Sequence, residues 1–405
     1  MTDLLDIVGQ DAAIERLQRL LGGTRRPHAL LFVGPAGVGR RTTAVALART
    51  LLCESPAVTA NSGHFGDLPA DYPLRQACGH CLDCAMMSPH ARVAPPPGAE
   101  GASKKASPRE TLSHPDFHLV FKELAAFHED ANVRSRVMQE LGIDVIRSFL
   151  LDPVCQRASR GRGKVFVVLE AHLLSVAAQN AMLKTLEEPP PGVTIILISD
   201  SAEGLLPTTL SRCSLLRFGL LPRPFVMDRL AAAGVAAPEA AFWAAFTGGS
   251  VGRALKLAAQ DMYEIKRDVV ARLAAMNRAG DAELGEYLGK TSDSLAERNV
   301  KLTRIGETEM SKNLALRQGA GAMLELIASA FRDALTRASG CDRPLVNGDQ
   351  APQIDLLAAK FDALQIASIL EQLSELEELL WRNVNAKVIW DNVVITCASA
   401  APLRV

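Results

Sequence analysis

The feature that most constrains this chain is a short apolar run followed by a glycine-rich turn and a helical pattern. The run Ala29–Val33 precedes GPAGVGRRTT at residues 34–43, and AVALARTLL follows. Strand, tight turn and helix in this order are typical of a P-loop, in which backbone N–H groups and the helix N-terminus surround phosphates. Gly34 and Gly39 have the spacing of GxxxxGK[ST], with Gly37 between them. The sequence therefore predicts a P-loop at the edge of a parallel β-sheet.

The two positions that carry the chemistry of this loop are altered. Arg40 stands where a lysine reaches the terminal phosphates, and Arg41 stands where a hydroxyl binds magnesium. A guanidinium neutralises phosphate but does not coordinate a metal cation. A second motif, KVFVVLEAH, has Leu169 at the position of the metal-holding aspartate and retains only Glu170. We expect no ATP hydrolysis by this chain alone, whereas the residues leave open whether the loop still binds a nucleotide.

Apolar periodicity divides the chain into two halves. Five short apolar runs alternate with helical patterns in the first half, which predicts a parallel sheet with helices on both faces. These runs are Ala29–Val33, Phe117–Phe121, Val165–Leu169, Thr194–Ile198 and Leu215–Phe218. From about residue 220 onward the spacing is helical, as at Ile366, Ile369 and Leu373. A chain of 405 residues also exceeds one ordinary core, so we predict an α/β domain followed by all-α domains.

Four of the eight cysteines form a cluster, Cys78-x2-Cys81-x2-Cys84 with Cys53 at the end of the P-loop helix. The N-terminus lacks the pattern of a signal peptide, so we expect a cytoplasmic protein, in which disulfides are rare. Four thiolates then predict a structural zinc site without an open coordination position. His80 in place of Cys53, or four merely buried thiols, are the alternatives.

Two stretches around the cluster predict an excursion from the sheet. Residues 54–77 are turn-rich and separate Cys53 from Cys78, and residues 88–113 have the Pro/Gly/Ser composition of an exposed loop. We expect the first stretch to lie outside the metal site without changing its ligands.

The charge balance argues against direct binding of nucleic acid by the chain as a whole. The 44 basic and 45 acidic residues give a net charge of −1, so partners would have to hold any DNA. One local basic run, with Arg157, Arg160, Arg162 and Lys164, either contacts DNA or forms a solvated loop before a strand.

Five motifs in this order resemble the delta-prime family of clamp-loader subunits of bacterial DNA polymerase III, within the AAA+ superfamily. They are GPAGVGRRTT, CGHCLDC, HPDF, QNAMLKTLEEPPPG and LPTTLSRC. The resemblance implies an AAA+ P-loop domain at residues 1–218 with a four-cysteine zinc module inserted at about 53–113. It also implies a small helical lid at 219–265 and a helical collar for oligomerisation at 266–405.

The resemblance implies a function within a larger machine. A pentameric loader uses ATP bound by its gamma/tau subunits to open the sliding clamp and place it on primer-template DNA. The expected partners are the gamma/tau and delta subunits, with clamp and DNA reached through the complex. A delta-prime subunit does not hydrolyse ATP. The alternative is an active gamma/tau-like ATPase, against which Arg40, Arg41 and Leu169 argue.

The SRC motif supplies the expected catalytic residue. In the family this arginine projects into the ATP site of the neighbouring subunit, so the resemblance makes Arg212 a trans-acting arginine finger. The alternative is a surface or ion-paired arginine. We interpret Cys213 as a small buried apolar residue, and Glu187 and Glu188 as capping or inter-subunit groups at a helix end. Arg253, in a region that resembles sensor 2, is expected to serve packing or an interface.

Overall fold

The computed structural model describes residues 2–23, 28–61, 63, 65–87, 114–134, 140–276, 282–303, 312–382 and 386–399. The chain divides into two compact units, Met1–Pro222 and Arg223–Val405. The predicted lid at 219–265 and collar at 266–405 lie almost entirely in the second unit, and their separation stays a prediction. Among the described helices, we find none that combines the length and the apolar character needed to cross a membrane.

The first unit is built on a parallel sheet. The described part of the unit contains seven strands: β1 (Ala29–Val33), β2 (Ala57–Ala60), β3 (Pro73–Gln76), β4 (Phe117–Val120), β5 (Lys164–Val168), β6 (Val193–Ser199) and β7 (Ser214–Arg217). Five of them form one sheet in the order β4–β5–β6–β1–β7, and every pairing in it is parallel. All five apolar runs of the sequence are therefore strands of this sheet.

Helices cover both faces of the sheet. In the first unit they are α1 (Asp11–Gly22), α2 (Arg40–Leu52), α3 (Leu82–Met86), α4 (Ala131–Arg134), α5 (Ile143–Ile146), α6 (Asp152–Val154), α7 (Val176–Glu187) and α8 (Pro207–Leu210). Consecutive strand side chains point to opposite faces. In β1, Leu30 and Phe32 join the core that includes α1 and α2, whereas Ala29 and Leu31 join the core that includes α7. Burial on both faces explains why the strands are continuous apolar runs.

The stretch at 54–77 contains two strands that the turn-rich sequence did not predict. β2 and β3 form an antiparallel hairpin, in which Val58 pairs with Arg75. The outer edge of β3 faces α1, where the Gln18 side chain accepts the Arg75 N–H at 2.7 Å and donates to the Arg75 carbonyl oxygen at 2.9 Å. Gln18 thus completes the hydrogen bonds that a further strand would supply. The other predicted loop, 88–113, lies outside the described residues.

The second unit is helical in all its described parts, as predicted. Its helices are α9 (Arg223–Ala232), α10 (Ala237–Phe246), α11 (Val251–Ala258), α12 (Met262–Ala275), α13 (Ala282–Thr303), α14 (Lys312–Ala338), α15 (Ala351–Ala358), α16 (Ala363–Trp381) and α17 (Ala386–Ser399). Ile366, Ile369 and Leu373, which gave the helical spacing, are buried in α16. Asp362 caps that helix, because its carboxylate accepts the Gln365 N–H at 2.8 Å.

A buried ion pair joins α12 to the turn before α15. The Lys266 side chain is fully buried, and its Nζ donates to both Asp349 carboxylate oxygens at 2.6 and 2.7 Å. The Tyr263 hydroxyl donates to the same carboxylate at 2.9 Å, and the Phe242 ring centre lies 4.4 Å from the ammonium nitrogen. Burial lowers the pKa of Lys266, and Asp349 opposes that shift. The ammonium therefore depends on Asp349 to remain charged inside the unit.

Replacing Asp349 by alanine is expected to lower the free energy of unfolding of the second unit by about 3–5 kcal/mol, because it leaves a buried charge without its partner. All three tryptophans, Trp243, Trp381 and Trp390, belong to this unit. Denaturant unfolding of the full chain, followed by tryptophan fluorescence, therefore reports on the unit directly.

Glu264→Ala is the matched control, because the Glu264 and Arg267 side chains are 73% and 54% exposed and lie 3.4 Å apart. Its effect should stay within about 1 kcal/mol. Adding Lys266→Met to Asp349→Ala should recover part of the lost stability, since no buried charge remains. Equal effects of Asp349→Ala and Glu264→Ala would contradict the role of the ion pair.

Candidate functional site

The glycine-rich turn lies at the carboxyl-terminal edge of the sheet. Gly34 leaves β1 so close to the Phe218 backbone that a side chain there would overlap its carbonyl oxygen. Gly37 and Gly39 have φ angles of 79° and 99°, in the left-handed region that favours glycine. Helix α2 begins at the next residue, Arg40. The sequence therefore folds into a turn that leads directly into the N-terminus of a helix.

The Arg40 side chain is bonded inside the protein. Its Nη1 donates to the Ser199 carbonyl oxygen, and its Nη2 forms an ion pair with the Asp200 carboxylate. Both partners stand where β6 ends, beside the turn, and only 6% of the Arg40 side chain is exposed. The cation at the position of the phosphate-binding lysine is thus neutralised by Asp200.

The acidic motif at the end of β5 also lacks a metal-binding arrangement. Leu169 is buried and donates its N–H to the Val120 carbonyl oxygen at 2.8 Å. The Glu170 carboxylate accepts from the Lys122 ammonium at 3.2 Å. Arg41, at the position of the magnesium-binding hydroxyl, is exposed at the start of α2. Neither position that binds magnesium in the motif carries an oxygen ligand.

Arg212 lies between α8 and β7 and makes three hydrogen bonds. Its Nε and Nη2 donate to Glu187 Oε2 at 3.1 and 2.9 Å, and its Nη1 donates to the Thr208 carbonyl oxygen at 3.0 Å. The Arg212 and Glu187 side chains are 30% and 58% exposed. The ion pair that the sequence left open is therefore present, at the surface of the first unit.

The P-loop lies at the carboxyl-terminal ends of the strands, and Arg212 lies at the amino-terminal ends. β7 runs parallel to β1, with Ser214 beside Leu30 and Arg217 beside Val33. Arg212 precedes β7, whereas the glycine-rich turn follows β1. Because a strand of five residues is about 17 Å long, Arg212 is remote from the phosphate loop of its own chain.

A buried glutamine holds the turn that carries Arg212. The Gln179 Oε1 atom, on α7, accepts from the Leu206 N–H at 2.8 Å and from the Thr209 hydroxyl at 3.3 Å. Its Nε2 donates to the Gly204 carbonyl oxygen at 3.2 Å. Gln179 is only 2% exposed, so these bonds form in a protected environment. The turn before Arg212 is therefore fastened to α7.

Two further residues of the sequence analysis have structural surroundings that suit packing. Burial raises the pKa of Cys213 to about 12, so its thiol is not a nucleophile at neutral pH. Arg253 forms an ion pair with Glu325 on α14, and its guanidinium lies 5.5 Å from the Phe246 ring centre.

The four clustered cysteines come together where α2 ends. All four sulfur atoms lie within 4.8 Å of one another. The separations are 3.8 Å from Cys53 to Cys81 and 3.9 Å from Cys78 to Cys84. A zinc ion about 2.3 Å from each thiolate in a tetrahedron would place the sulfurs about 3.8 Å apart. The donor set and its spacing therefore fit one four-coordinate zinc ion.

Backbone N–H groups point at the cysteine sulfurs. The Cys78 N–H donates to Cys53 Sγ at 3.3 Å, and the Cys81 N–H donates to Cys78 Sγ at 3.4 Å. Burial raises the pKa of the Cys78 thiol, but N–H groups of His80 and Cys81 outweigh it and lower the pKa to about 6. The exposed His80 ring contacts the Cys78 carbonyl oxygen through Nδ1 at 2.9 Å. Cys53, and not His80, is thus the fourth residue of the cluster.

A buried polar network connects this cluster to the sheet. Asp83, next to Cys84, contacts His114 Nε2 at 3.2 Å and accepts from Arg160 Nε at 2.7 Å. The Asp116 carboxylate accepts the Arg160 N–H at 2.8 Å. These contacts of His114 and Asp116, in the HPDF motif, were not predicted from the sequence. The signal in the sequence was an aspartate between Cys81 and Cys84, with a histidine shortly before an apolar run.

These observations define the class of the first unit: a parallel-sheet domain with a P-loop-type turn, in which arginines replace the usual lysine and hydroxyl. A family model described as DNA polymerase III, delta subunit, matches residues 95–221. A second, described as DNA polymerase III, delta subunit, C terminal, matches residues 301–396. Together with the relatives named delta′ below, the two models support a delta-prime subunit of DNA polymerase III.

Individual relatives agree with this assignment. DNA polymerase III subunit delta′ of Escherichia coli K12 is 28% identical over 268 residues, which cover 66% of this chain and 65% of the relative. The subunit delta′ of Pseudomonas aeruginosa is 31% identical, with 48% and 44% covered. The subunit gamma/tau of Mycobacterium tuberculosis is 30% identical, with 54% and 28% covered. The matched stretch thus spans less than two thirds of each of these relatives.

Among solved structures, a DNA polymerase III gamma subunit-related protein of Thermotoga maritima matches with a TM-score of 0.39 and 16% identity, covering 95% of this chain and 98% of that one. The T. maritima RuvB Holliday junction branch migration motor matches with a TM-score of 0.36 and 13% identity, covering 65% and 66%.

Proposed function

We propose that this chain is the subunit of a clamp loader that hydrolyses no ATP itself and supplies Arg212 to the ATP site of a neighbouring subunit. The observation that carries the proposal is the contrast between two arginines. Arg40, in the phosphate loop, is buried and neutralised by Asp200. Arg212, at the opposite edge of the sheet, is partly exposed. One chain can therefore lack hydrolysis of its own and still contribute to hydrolysis elsewhere.

The chemistry follows from what ATP hydrolysis requires. A magnesium ion normally bridges the β- and γ-phosphates, and Arg41 and Leu169 offer it no oxygen. Glu170, the remaining acid, is paired with Lys122. An arginine brought to a neighbour's γ-phosphate needs no metal of its own, because it stabilises the charge that spreads over the transferring phosphoryl group.

The proposed partners are gamma/tau-type and delta-type subunits, with the sliding clamp and primer-template DNA reached through the complex. The net charge of −1 favours recruitment by partners over direct DNA binding. Two residues of the basic run also have partners within the chain. Arg160 pairs with Asp83 and Glu54, and the buried Lys164 donates to the Pro153 carbonyl oxygen at 2.8 Å. We assign oligomerisation to the helical collar and a cytoplasmic location to the whole assembly.

We further propose that Cys53, Cys78, Cys81 and Cys84 hold a structural zinc ion. Four thiolate ligands leave no coordination position for a water or substrate, so the ion would contribute to folding and not to catalysis. The sulfur spacing and the N–H groups directed at the thiolates support this role.

An active gamma/tau-like ATPase is the competing function, since subunits of that name are among the relatives. The pairing of Arg40 with Asp200, and the presence of Arg41 and Leu169 at the two magnesium positions, favour the inactive subunit.

Reconstitution of the full chain with gamma/tau-type and delta-type subunits tests the proposal. We expect a stable complex on size-exclusion chromatography, and clamp- and DNA-stimulated ATP hydrolysis above that of the partners alone. The isolated chain should release no phosphate from ATP. Arg40→Lys is a sharp companion variant, because it restores the lysine of the motif without the magnesium ligands and should stay inactive.

Hydrolysis of ATP by the isolated chain at an ordinary enzyme rate would overturn the inactive assignment. Failure of the chain to enter the complex would overturn the assembly role, even though the fold and family would stand.

A further inference from the structure

The contacts of Arg212 leave two of its hydrogen-bond donors unused by the partners named above. A guanidinium has five N–H donors. Glu187 engages Nε and one donor of Nη2, and Thr208 engages one donor of Nη1. One donor therefore remains on each of the two terminal nitrogens. Each of these donors can bond an oxygen of a phosphoryl group.

We infer that Glu187 is a positioning residue for Arg212: it holds the guanidinium from one side so that the remaining donors face a neighbour's γ-phosphate. This inference rests on the proposed function and extends it to a second residue. Glu187 itself would not contact the nucleotide. Its effect on hydrolysis would pass entirely through Arg212.

The backbone around Glu187 is held in place, so that its side chain can orient Arg212. Glu187 is the last residue of α7, and three prolines at 189–191 follow that helix. The same helix carries Gln179, whose buried amide bonds the turn ahead of Arg212. One helix thus fixes both the backbone before Arg212 and the side chain of Arg212 itself. The Thr208 carbonyl oxygen holds the guanidinium at a third point.

The ion pair between Arg212 and Glu187 is strong enough to orient the arginine and weak enough to let it bind a phosphate group. A free arginine has many rotamers, and immobilising it at the moment of reaction costs conformational entropy. The contact with Glu187 removes part of that cost before the subunits meet. Because both side chains are substantially exposed, the ion pair is too weak to withhold Arg212 from a triphosphate. Glu187 therefore orients Arg212 without preventing it from binding a triphosphate.

The test uses the assembled complex and defines the Arg212-dependent activity as the stimulated ATPase that Arg212→Ala removes. Glu187→Ala should lower this activity about 3- to 10-fold in kcat without changing KM for ATP, because the support acts on the transition-state contact. Glu187→Gln should stay within about twofold of the unchanged chain, since its amide oxygen still accepts hydrogen bonds. Glu188→Ala is the matched control and should have no effect, because Glu188 is not among the groups that bond Arg212.

The double variant Arg212→Ala/Glu187→Ala separates positioning from a general structural effect. If Glu187 acts through Arg212, the double variant should be no slower than Arg212→Ala alone. A further loss in the double variant, or unchanged or increased activity in Glu187→Ala, would overturn the inference while leaving Arg212 as the finger. If Arg212→Ala itself has no effect, the proposed function fails first, and the two failures are thereby distinguished.

Discussion

Arg212→Ala is expected to slow ATP hydrolysis at the neighbouring subunit's site by about 10³- to 10⁵-fold, the range known for loss of an arginine finger. The substitution removes the group that would stabilise the charge on the transferring phosphoryl. The fold should be unaffected, because the ion pair with Glu187 is at the surface and such pairs contribute about 0–1 kcal/mol. The measurement is single-turnover ATP hydrolysis by the reconstituted complex with clamp and primed DNA. Other sites in the complex will continue to turn over, so the loss should appear as a missing fast phase.

Two variants make this result specific. Arg212→Lys keeps the charge but loses the planar fork and should recover only a small part of the activity. Arg217→Ala changes an exposed arginine at the end of β7 that is remote from Arg212, and it should leave the fast phase intact. A complex that contains Arg212→Ala, assembles normally and retains the fast phase would show that Arg212 is only a surface ion pair.

The central strands β1, β5 and β6 could be predicted most clearly because they are buried on both faces. Runs such as Val165–Leu169 are apolar at every position, and an edge strand or a half-exposed strand would not have given so clear a signal. The glycines of the P-loop were equally informative, because Gly39 needs a left-handed φ that other residues rarely adopt. These signals are local and can be interpreted without knowledge of the rest of the fold.

The hairpin β2–β3 could not be predicted in the same way. β2 is largely exposed, and its sequence AVTA has no clear alternation of apolar and polar residues. Its partner strand is stabilised by Gln18, which is 57 residues away from Arg75 along the chain. Hydrogen bonds between residues so far apart in the chain depend on the tertiary fold. The local sequence therefore predicted only turns.

In the candidate site, the sequence identifies the important residues but not the residues that they contact. Arg40, Arg212 and the four cysteines stand out in the sequence because their types break or fulfil a motif. The residues that they contact do not stand out in the sequence. Asp200 is 160 residues from Arg40, and Glu187 is 25 residues from Arg212. The sequence shows that Arg40 is unusual, but only the fold shows that its charge is already neutralised. The proposed inactivity of the phosphate loop therefore rests on the pairing of Arg40 with Asp200 as well as on the altered motif.

Cys81→Ser is expected to remove zinc from the chain and to unfold the module around it. Zinc binding to structural thiolate sites is worth about 10–16 kcal/mol in zinc-finger peptides, and this binding energy is also folding energy. The cysteine cluster has few other apolar contacts, since its buried members are Cys53, Ala77 and Cys84. We expect zinc content to fall from one ion per chain to well below half, as measured by elemental mass spectrometry. Hydrogen exchange at residues 77–87 should rise at the same time.

The sheet should survive this change, because its two apolar cores are distinct from the cysteine cluster. Exchange protection in β1 and β6 should therefore stay close to that of the unchanged chain. Cys155→Ser is the matched control, since Cys155 is exposed and outside the cluster, and it should retain zinc. His80→Ala should retain zinc as well, because the fourth sulfur comes from Cys53. Zinc loss in His80→Ala but not in Cys53→Ser would identify the histidine as the fourth ligand, and a zinc-free unchanged chain would remove the site altogether.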